Sequence, residues 1–230
     1  MNKNNLPSEN SLELSRMFHE IKNPLTLISS SLQLIENDHP EVKDFRFWEQ
    51  TRKDLQLLCR LINDLSSFQK SSMLSFQTIN LFDFTEDLLE STESFLSEKG
   101  TPVILDNNHM DLDFYGDSFL LRQALINLLK NASESSQNGS PIYLRITRSI
   151  GKLFISVIDK GCGIRHEQIP YLYEPFHTTK SYGTGLGLPI AKKIIESHHG
   201  TLTVFSIPKN GTAFTVSLPL APSQQSVSCC

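Results

Sequence analysis

His19 is the first residue of this 230-residue sequence whose position suggests chemistry. It lies two residues after Met17 and two before Ile21, so on a helix it is turned about 200° from each apolar neighbour. An imidazole on the outer face of a helix can be reached by another domain. Near neutral pH much of it is unprotonated and can act as a nucleophile, and Glu20 could orient the ring or accept its proton.

Two other interpretations of this segment stay open from the residues alone. The run His19–Asn23 resembles the zinc-binding pattern HExxH, but Asn23 replaces the second histidine, so the pair of ligands is broken. A solvated surface histidine is the simpler alternative. Pro24 lacks the N–H that would bond the carbonyl of Glu20, so we expect the helix to bend or loosen there.

Asn127 and Asn131 are four residues apart on a predicted helix, so both side chains project from one face. Carboxamide oxygens are hard ligands that suit Mg²⁺, an ion that keeps most of its water and bridges phosphates. Considered alone, the two are better explained as ordinary polar surface residues.

Two glycine-rich segments follow. Asp159 ends an apolar run and opens a turn that contains Gly161 and Gly163. Its carboxylate could accept a hydrogen bond from an adenine amino group, and the glycines let the backbone pass close to a planar ring. An ordinary turn after a strand is the alternative.

The second segment, Gly183–Leu188, leads straight into a helix, where exposed backbone N–H groups favour phosphate. It matches neither the dinucleotide fingerprint nor a Walker loop, and a flexible hinge is the alternative. Before it, Phe176 offers an aromatic anchor, Thr178 and Thr179 offer hydroxyls, and Lys180 could neutralise phosphate charge.

Helices must position His19. Apolar residues recur every three or four positions along two stretches, separated by a helix-ending segment at 37–40. We expect an antiparallel helical hairpin whose wide apolar faces pair with a second copy, giving a four-helix bundle and a homodimer. Packing against the rest of its own chain is the alternative. The two seams are Leu14, Met17, Ile21, Leu25, Ile28, Leu32, Ile35, and Trp48, Thr51, Leu55, Leu58, Ile62, Leu65.

The remaining elements mix strands and helices without strict alternation, which predicts an α+β layer with helices on one face of a mixed sheet. Asp117 is a good N-cap, and Gly200 is expected to close the last helix. Residues 160–185 form a long irregular segment typical of a lid or binding loop. Predicted strands are Phe76–Leu81, Pro102–Leu105, Leu112–Tyr115, Ile142–Arg148, Leu153–Asp159, Leu202–Ser206 and Thr212–Leu218, and predicted helices are Leu81–Glu98, Asp117–Ser135 and Leu186–His199.

Composition excludes several classes of protein. The formal net charge of −4 argues against general nucleic-acid binding, and 39% hydrophobic with 20% charged residues is typical of a soluble globular protein. The sequence contains no run of 18 apolar residues, so we expect no membrane insertion. The four cysteines form no CxxC pair or disulfide framework, so we expect a reducing cytoplasm.

The order and spacing of these motifs resemble the HisKA-type sensor histidine kinases with a GHKL (Bergerat) ATP-binding domain. The resemblance covers residues 12–220 and rests on five segments in the family's order. These are Phe18–Leu25 (H box), Asn127–Ala132 (N box), Asp159–Ile164 (G1 box), Tyr173–Phe176 (F box) and Gly183–Leu188 (G2 box).

The resemblance implies a HisKA dimerisation and phosphotransfer domain at 1–72, a GHKL α/β sandwich at 73–220 and a disordered tail at 221–230. His19 would accept phosphate, Glu20 would assist proton removal, and Asn23 would position water for dephosphorylating a regulator. Asn131 would hold Mg²⁺ with Asn127 assisting. Asp159 with Gly161 and Gly163 would bind adenine, Phe176 would anchor the lid, and Thr178, Thr179, Lys180, Gly183, Thr184, Gly185, Leu186 and Gly187 would wrap the phosphates of ATP.

One departure from the family concerns phosphate binding. Many members carry a basic residue three positions after the second N-box asparagine, where this chain has Glu134. The short lid with Thr-Thr-Lys is similar to the nitrogen-regulation and sporulation kinase branch, so Lys180 is expected to take that role.

The expected function is ATP-dependent phosphorylation of His19 followed by transfer to an aspartate of a response regulator receiver domain, with dephosphorylation of that regulator as a further activity. Only 18 residues precede His19, so the signal would come through a missing N-terminal part or a separate sensor or regulatory protein. A phosphotransfer or scaffold protein with an inactive ATP domain is one alternative. A GHKL serine kinase is another.

Overall fold

The structure, a computed structural model, describes residues 9–70, 74–107, 112–180 and 183–220. They belong to two compact units: Met1–Met73 with Pro175–Leu186, and Leu74–Glu174 with Gly187–Cys230. The domain boundary expected at residues 72–73 and the tail expected at 221–230 lie outside the described residues.

The first unit contains the helical hairpin. Helix α1 spans Glu9–Asp38, a short 3-10 helix spans Pro40–Asp44, and α2 spans Trp48–Lys70. Glu36 of α1 pairs with Lys43 at 3.1 Å and also with Arg52 of α2, which joins the two helices beside the turn. The predicted hairpin is therefore confirmed. Helix α1 continues through Pro24 as one element rather than ending there.

The second unit is built on two sheets. Its elements are β1 (Gln77–Asn80), α3 (Leu81–Glu98), β2 (Val103–Asn107), β3 (Asp113–Gly116), α4 (Ser118–Ser135), β4 (Ile142–Ser149), β5 (Lys152–Asp159), a 3-10 helix (His166–Tyr171), α5 (Gly187–Ser197), β6 (Thr201–Ile207) and β7 (Gly211–Pro219). Strands β1 and β3 pair antiparallel, and the larger sheet has the order β2-β4-β5-β7-β6. Only its β2–β4 pair is parallel, so the predicted mixed sheet is confirmed.

Strand alternation places the core of this unit on one face of the larger sheet. Leu153, Ile155 and Val157 of β5 are buried, as are Phe214 and Val216 of β7. Helices α4 and α5 cover that face with fully buried leucine and isoleucine side chains, each contributing about 1.5–3 kcal/mol through burial. The expected arrangement of helices on one side of a sheet follows from this pattern.

Side-chain caps fix where the helices begin. The carboxylate of Asp117 accepts a hydrogen bond from Leu120 N at 3.0 Å, which confirms the predicted N-cap of α4. Asn80 caps α3 by accepting from Phe82 N and Asp83 N. Both caps fix the residue at which a long helix begins.

The end of α5 differs from the prediction. The helix stops at Ser197, and the residue with left-handed backbone is His199 (φ 58°) rather than Gly200. Gly200 is needed for another reason, because a Cβ there would lie 2.5 Å from the carbonyl oxygen of Ser217. Gly200 nevertheless takes part in closing the helix, because its N–H donates to Ile195 O at 2.9 Å, and it also permits a close approach to β7.

Within the described ranges, none of the helices combines the length and the apolar character needed to cross a membrane.

Candidate functional site

His19 lies on the exposed surface of α1, together with Glu20 and Asn23. Its neighbours on the apolar seam are exposed as well, Met17 at 53% and Ile21 at 39%. The expected contrast between an outward histidine and a buried seam is therefore absent in a single copy of the hairpin. It requires a partner that covers the seam.

The N-box asparagines, four residues apart, lie on one face of α4, beside the buried residues of that helix. Asn131 is partly exposed, and its backbone oxygen accepts a hydrogen bond from Ser135 Oγ at 2.8 Å. The side-chain nitrogen of Asn127 is buried and has no hydrogen-bond partner among the described residues. Because buried polar groups are nearly always paired, this amide donor could serve a bound ligand.

Asp159 ends β5 and is only 3% exposed. One carboxylate oxygen, Oδ1, accepts a hydrogen bond from Gly161 N at 2.8 Å, so the turn residue holds the carboxylate in place. This is the geometry of a fixed acceptor at the end of a buried strand, as adenine recognition requires.

Gly161 is held close to the end of α4. A Cβ at this position would lie 2.3 Å from the carbonyl oxygen of Ser135, and Cys162 N donates to that same oxygen over 3.1 Å. Sequence reasoning assigned Gly161 to adenine. In the structure, a glycine is also needed here because a side chain would prevent the turn from approaching α4.

The other side of the turn packs against the β6–β7 connection. Gly163 has a positive φ of 66°, and a Cβ there would lie 2.2 Å from Ile207 O. Ile164 N donates to Ser206 Oγ at 2.8 Å, and Lys209 N donates to Cys162 O at 2.7 Å. The Asp159–Ile164 turn is therefore fixed from both sides.

Gly187 begins α5 beside the N box. A Cβ built on it would lie 3.9 Å from the Cβ of Asn127. At the other end of the same α4 face, Ser135 contacts the turn after Asp159. Eight residues separate Asn127 from Ser135, about 12 Å along the helix axis. Within the second unit, the N-terminus of α5 therefore lies beside Asn127, and the turn after Asp159 lies beside the C-terminal end of α4.

The predicted lid residues up to Leu186 belong to the first unit. Phe176 is 60% exposed and has a left-handed backbone (φ 66°). Its backbone N donates to Gly185 O at 3.1 Å, and Gly185 in turn has φ 67° with no room for a Cβ against Phe176. The contact that Phe176 makes here is thus made by its backbone, whereas the sequence suggested an anchoring ring.

Hydrogen bonds within the lid involve its threonines. Thr178 Oγ1 accepts from Lys180 N at 3.1 Å, and Gly183 N donates to Lys180 O at 3.2 Å. Thr184 Oγ1 donates to Asp64 Oδ2 of α2 at 2.6 Å. Thr179 is exposed. Sequence reasoning missed Asp64, because nothing in its spacing distinguishes it from other acidic residues of a helix surface.

Family models match both parts of the chain. Residues 9–73 match the His Kinase A (phospho-acceptor) domain, and residues 116–222 match the histidine kinase-, DNA gyrase B- and HSP90-like ATPase family. The chain belongs to the histidine kinases. It contains the catalytic core of a two-component histidine kinase, and its fold class is the one that the sequence predicted.

Several curated histidine kinases are similar to this one. Sporulation kinase C of Bacillus subtilis (strain 168) is 32% identical over 210 residues, which are 88% of this chain and 47% of that protein. Sporulation kinase A of the same organism is 35% identical over 206 residues, 87% of this chain and 33% of its own length. The chain thus spans less than half the length of these two relatives, and both agree with the predicted sporulation branch.

Solved histidine kinase structures share the fold. The catalytic domain of the histidine kinase ThkA has a TM-score of 0.59 and 29% identity, over 64% of this chain and 96% of that one. ThkA in complex with the response regulator protein TrrA has a TM-score of 0.67 and 25% identity, over 91% of this chain and 61% of that one.

The sequence places the expected metal ligand of this chain at the N box. In the part of the chain that the structure describes, no three His, Cys, Asp or Glu side chains group to hold an ion. A cation at the N box would instead be held by the amide oxygen of Asn131, water and phosphate, which is how Mg²⁺ binds with nucleotides. The donor set therefore fits magnesium that arrives with its ligand.

Proposed function

We propose that this chain is an ATP-dependent protein-histidine kinase. It phosphorylates its own His19 and transfers the phosphoryl group to an aspartate of a response regulator receiver domain. Asn23, four residues further along the same helix, would position water for dephosphorylating that regulator.

The observation that carries this proposal is the buried carboxylate of Asp159, held by Gly161 N at 2.8 Å beside the end of α4. A fixed carboxylate accepts a hydrogen bond from the amino group of adenine and meets only the oxygen of guanine at the same place. Adenine nucleotide is therefore the ligand that this end of the α4 face selects.

Phosphate recognition is assigned to the other end of that face and to the lid. Asn127 presents its buried amide beside Gly187, at the N-terminus of α5, where backbone N–H groups favour anions. We propose that Lys180, the lid hydroxyls and the backbone of Gly183–Gly187 bind the phosphates, and that Asn131 ligates Mg²⁺. Mg²⁺ held there would supply positive charge that offsets the charge of the phosphates.

In the transfer step the imidazole nitrogen of His19 attacks the γ-phosphorus of ATP. A nitrogen–phosphorus bond forms, the bond from that phosphorus to the β–γ bridging oxygen breaks, and ADP leaves with the electron pair. Glu20 is adjacent on exposed helix surface and accepts the imidazole proton. Phosphoryl transfer depends mostly on such positioning and on charge neutralisation.

A homodimer is supported by the uncovered seam of the hairpin. Met17 and Ile28 are 53% and 49% exposed, and Ile35 is 41% exposed, although Leu25 and Ile62 are buried. Apolar residues at heptad spacing are normally covered, so a second hairpin completing a four-helix bundle is the partner we propose.

The remaining proposals concern the partner proteins and the compartment of this kinase. The complex of ThkA with a response regulator supports a receiver domain as the acceptor. A sensor or regulatory protein would supply the signal. We propose a reducing cytoplasm, consistent with the free thiols of Cys59 and Cys162.

The decisive experiment incubates the chain with Mg²⁺ and γ-labelled ATP and follows protein-bound label. We expect acid-labile, alkali-stable phosphate that is lost in His19→Gln. His39→Gln is the matched control, because His39 is another exposed histidine of the hairpin and should leave labelling intact. Undiminished labelling in His19→Gln would overturn the assignment, and a chain that binds no ATP would favour the phosphotransfer alternative.

A further inference from the structure

We propose that His198 is a positioning residue for the nucleotide site: it fixes the packing of α5 on α4 and thereby sets the affinity for ATP. This inference rests on the proposed function, because it concerns the same site. His198 lies outside the five family motifs.

The imidazole of His198 joins two backbone groups. It is 3% exposed, its Nδ1 lies 2.7 Å from Ile194 O, and Asp117 N donates to its Nε2 over 2.9 Å. A carbonyl oxygen can only accept and a backbone N–H can only donate. The ring is therefore neutral, with its proton on Nδ1 and a bare Nε2.

The residues around the ring make this link specific. A Cβ at Gly116 would lie 3.2 Å from His198 Cδ2, and the ring of Phe76 packs on it at 5.2 Å between centroids. Asp117 is itself held, since its carboxylate accepts from Leu120 N at 3.0 Å and from Ser75 N at 2.8 Å. His198 thus connects the end of α5 to the N-cap of α4.

The contact between His198 and Asp117 and the contact between Gly187 and Asn127 both lie where α5 packs on α4. The first contact joins Asp117, just before α4, to His198, just after α5. The second joins Asn127, ten residues further along α4, to Gly187, eleven residues earlier along α5. The two helices run antiparallel between these points. A shift of α5 at His198 therefore displaces Gly187 relative to Asn127.

The link depends on the neutral ring. Burial lowers the pKa of His198, the hydrogen bond to Ile194 O and the carboxylate of Asp117 raise it, and the neighbouring imidazole of His199 lowers it. Phe76, Gly116 and Leu121 also pack at this point and carry no titratable group. Protonation would place a second N–H against Asp117 N–H, so acid should weaken the link.

The test measures binding of the Mg²⁺ complex of a non-hydrolysable ATP analogue by calorimetry. His198→Leu removes both hydrogen bonds, and we expect an affinity loss of about tenfold, because a buried donor is left without its acceptor. His198→Gln can accept from Asp117 N through its amide oxygen and should restore most of the affinity. His199→Asn is the matched control, a neighbouring exposed histidine at positive φ, and should bind as the parent does.

The pH profile separates positioning from general stability. Because burial lowers the pKa of His198 below its ordinary value, the parent should match His198→Gln near neutral pH and lose affinity relative to it between about pH 6.5 and 4.5. His198→Gln cannot titrate. The nucleotide's own protonation is common to both proteins and cancels in their ratio. If His198→Leu does not fold, this ratio still decides the question.

A constant ratio across this pH range, or parent-like affinity in His198→Leu, would overturn the inference and leave the proposed kinase intact. A parent chain that binds no ATP analogue would overturn both. His19→Gln should bind the analogue normally, so loss of autophosphorylation without loss of binding concerns the proposed function alone.

Discussion

The hydroxyl of Thr184 donates a hydrogen bond of 2.6 Å to Oδ2 of Asp64. It connects the glycine-rich lid to α2 within the first unit of the chain, and the same hydroxyl accepts from Leu186 N at 3.3 Å. Thr184 therefore orders the lid backbone on one side and meets an anionic partner on the other.

Removing this pair should loosen the lid. We expect Asp64→Ala and Thr184→Val each to speed amide exchange across residues 183–186 and to cost about 1–2 kcal/mol, since the bond has a charged acceptor. The double variant should cost little more than either single one, because both remove the same interaction. Additive losses in this double-mutant cycle, measured by urea unfolding, would show that the two residues act separately.

Asp159→Asn should weaken adenine nucleotide binding about ten- to hundredfold, because a hydrogen bond to a charged, buried acceptor is lost. The side chain keeps its shape, so stability should change less than affinity. Asp106→Asn is the control, since Asp106 is 46% exposed in a surface pair with Arg145. Equal affinity of the parent and Asp159→Asn for the ATP analogue would contradict adenine recognition by this carboxylate.

Gly161→Ala and Gly187→Ala should separate folding from binding. The first places a methyl group 2.3 Å from Ser135 O and should destabilise the second unit by about 1–3 kcal/mol, the usual range for overpacking. The second meets nothing closer than 3.9 Å, so the thermal midpoint should be unchanged or slightly raised.

Phosphate binding should nevertheless fall in Gly187→Ala if phosphate approaches the start of α5. Calorimetry with the ATP analogue and thermal unfolding on the same samples test both expectations. Unchanged affinity in Gly187→Ala would place the phosphates elsewhere.

His199→Gly should stabilise the protein by about 0.5–1 kcal/mol, because the left-handed conformation at φ 58° costs a side-chain-bearing residue energy that glycine does not pay. Glu196→Gly, three residues earlier on an exposed helical position, should instead lose about 1 kcal/mol. Urea unfolding measures both. Opposite signs for the two glycines are the expected result, and equal losses would contradict the role of the backbone at His199.

Ile28→Glu should convert the proposed dimer into monomers, because a charge would enter the apolar seam between two hairpins. Leu27→Glu is the matched control: the neighbouring leucine is 68% exposed and lies off the seam. Sedimentation at several concentrations distinguishes the outcomes. A dimer that survives Ile28→Glu, or equal effects of both variants, would contradict pairing through this seam.

Much of the fold followed from local patterns. Heptad spacing predicted α1 and α2, alternation predicted the β4–β5 and β6–β7 hairpins, and Asp117 marked the start of α4. These features depend on neighbouring residues in the chain, which is why periodicity and capping chemistry find them. Motif order likewise indicated the histidine kinase family before any contact was known.

Long-range contacts required the tertiary structure. Gly161 and Gly200 looked like turn residues, but their lack of a side chain is explained by Ser135 and Ser217, which lie far away in sequence. Likewise, the hydrogen bond from Asp117 N to His198 joins residues that are 81 positions apart, and local spacing does not indicate it. The sequence by itself determined which elements form and which residues could bind ATP. Only the folded chain decided which backbone groups those residues meet, because such partners are set by packing between distant elements rather than by local spacing.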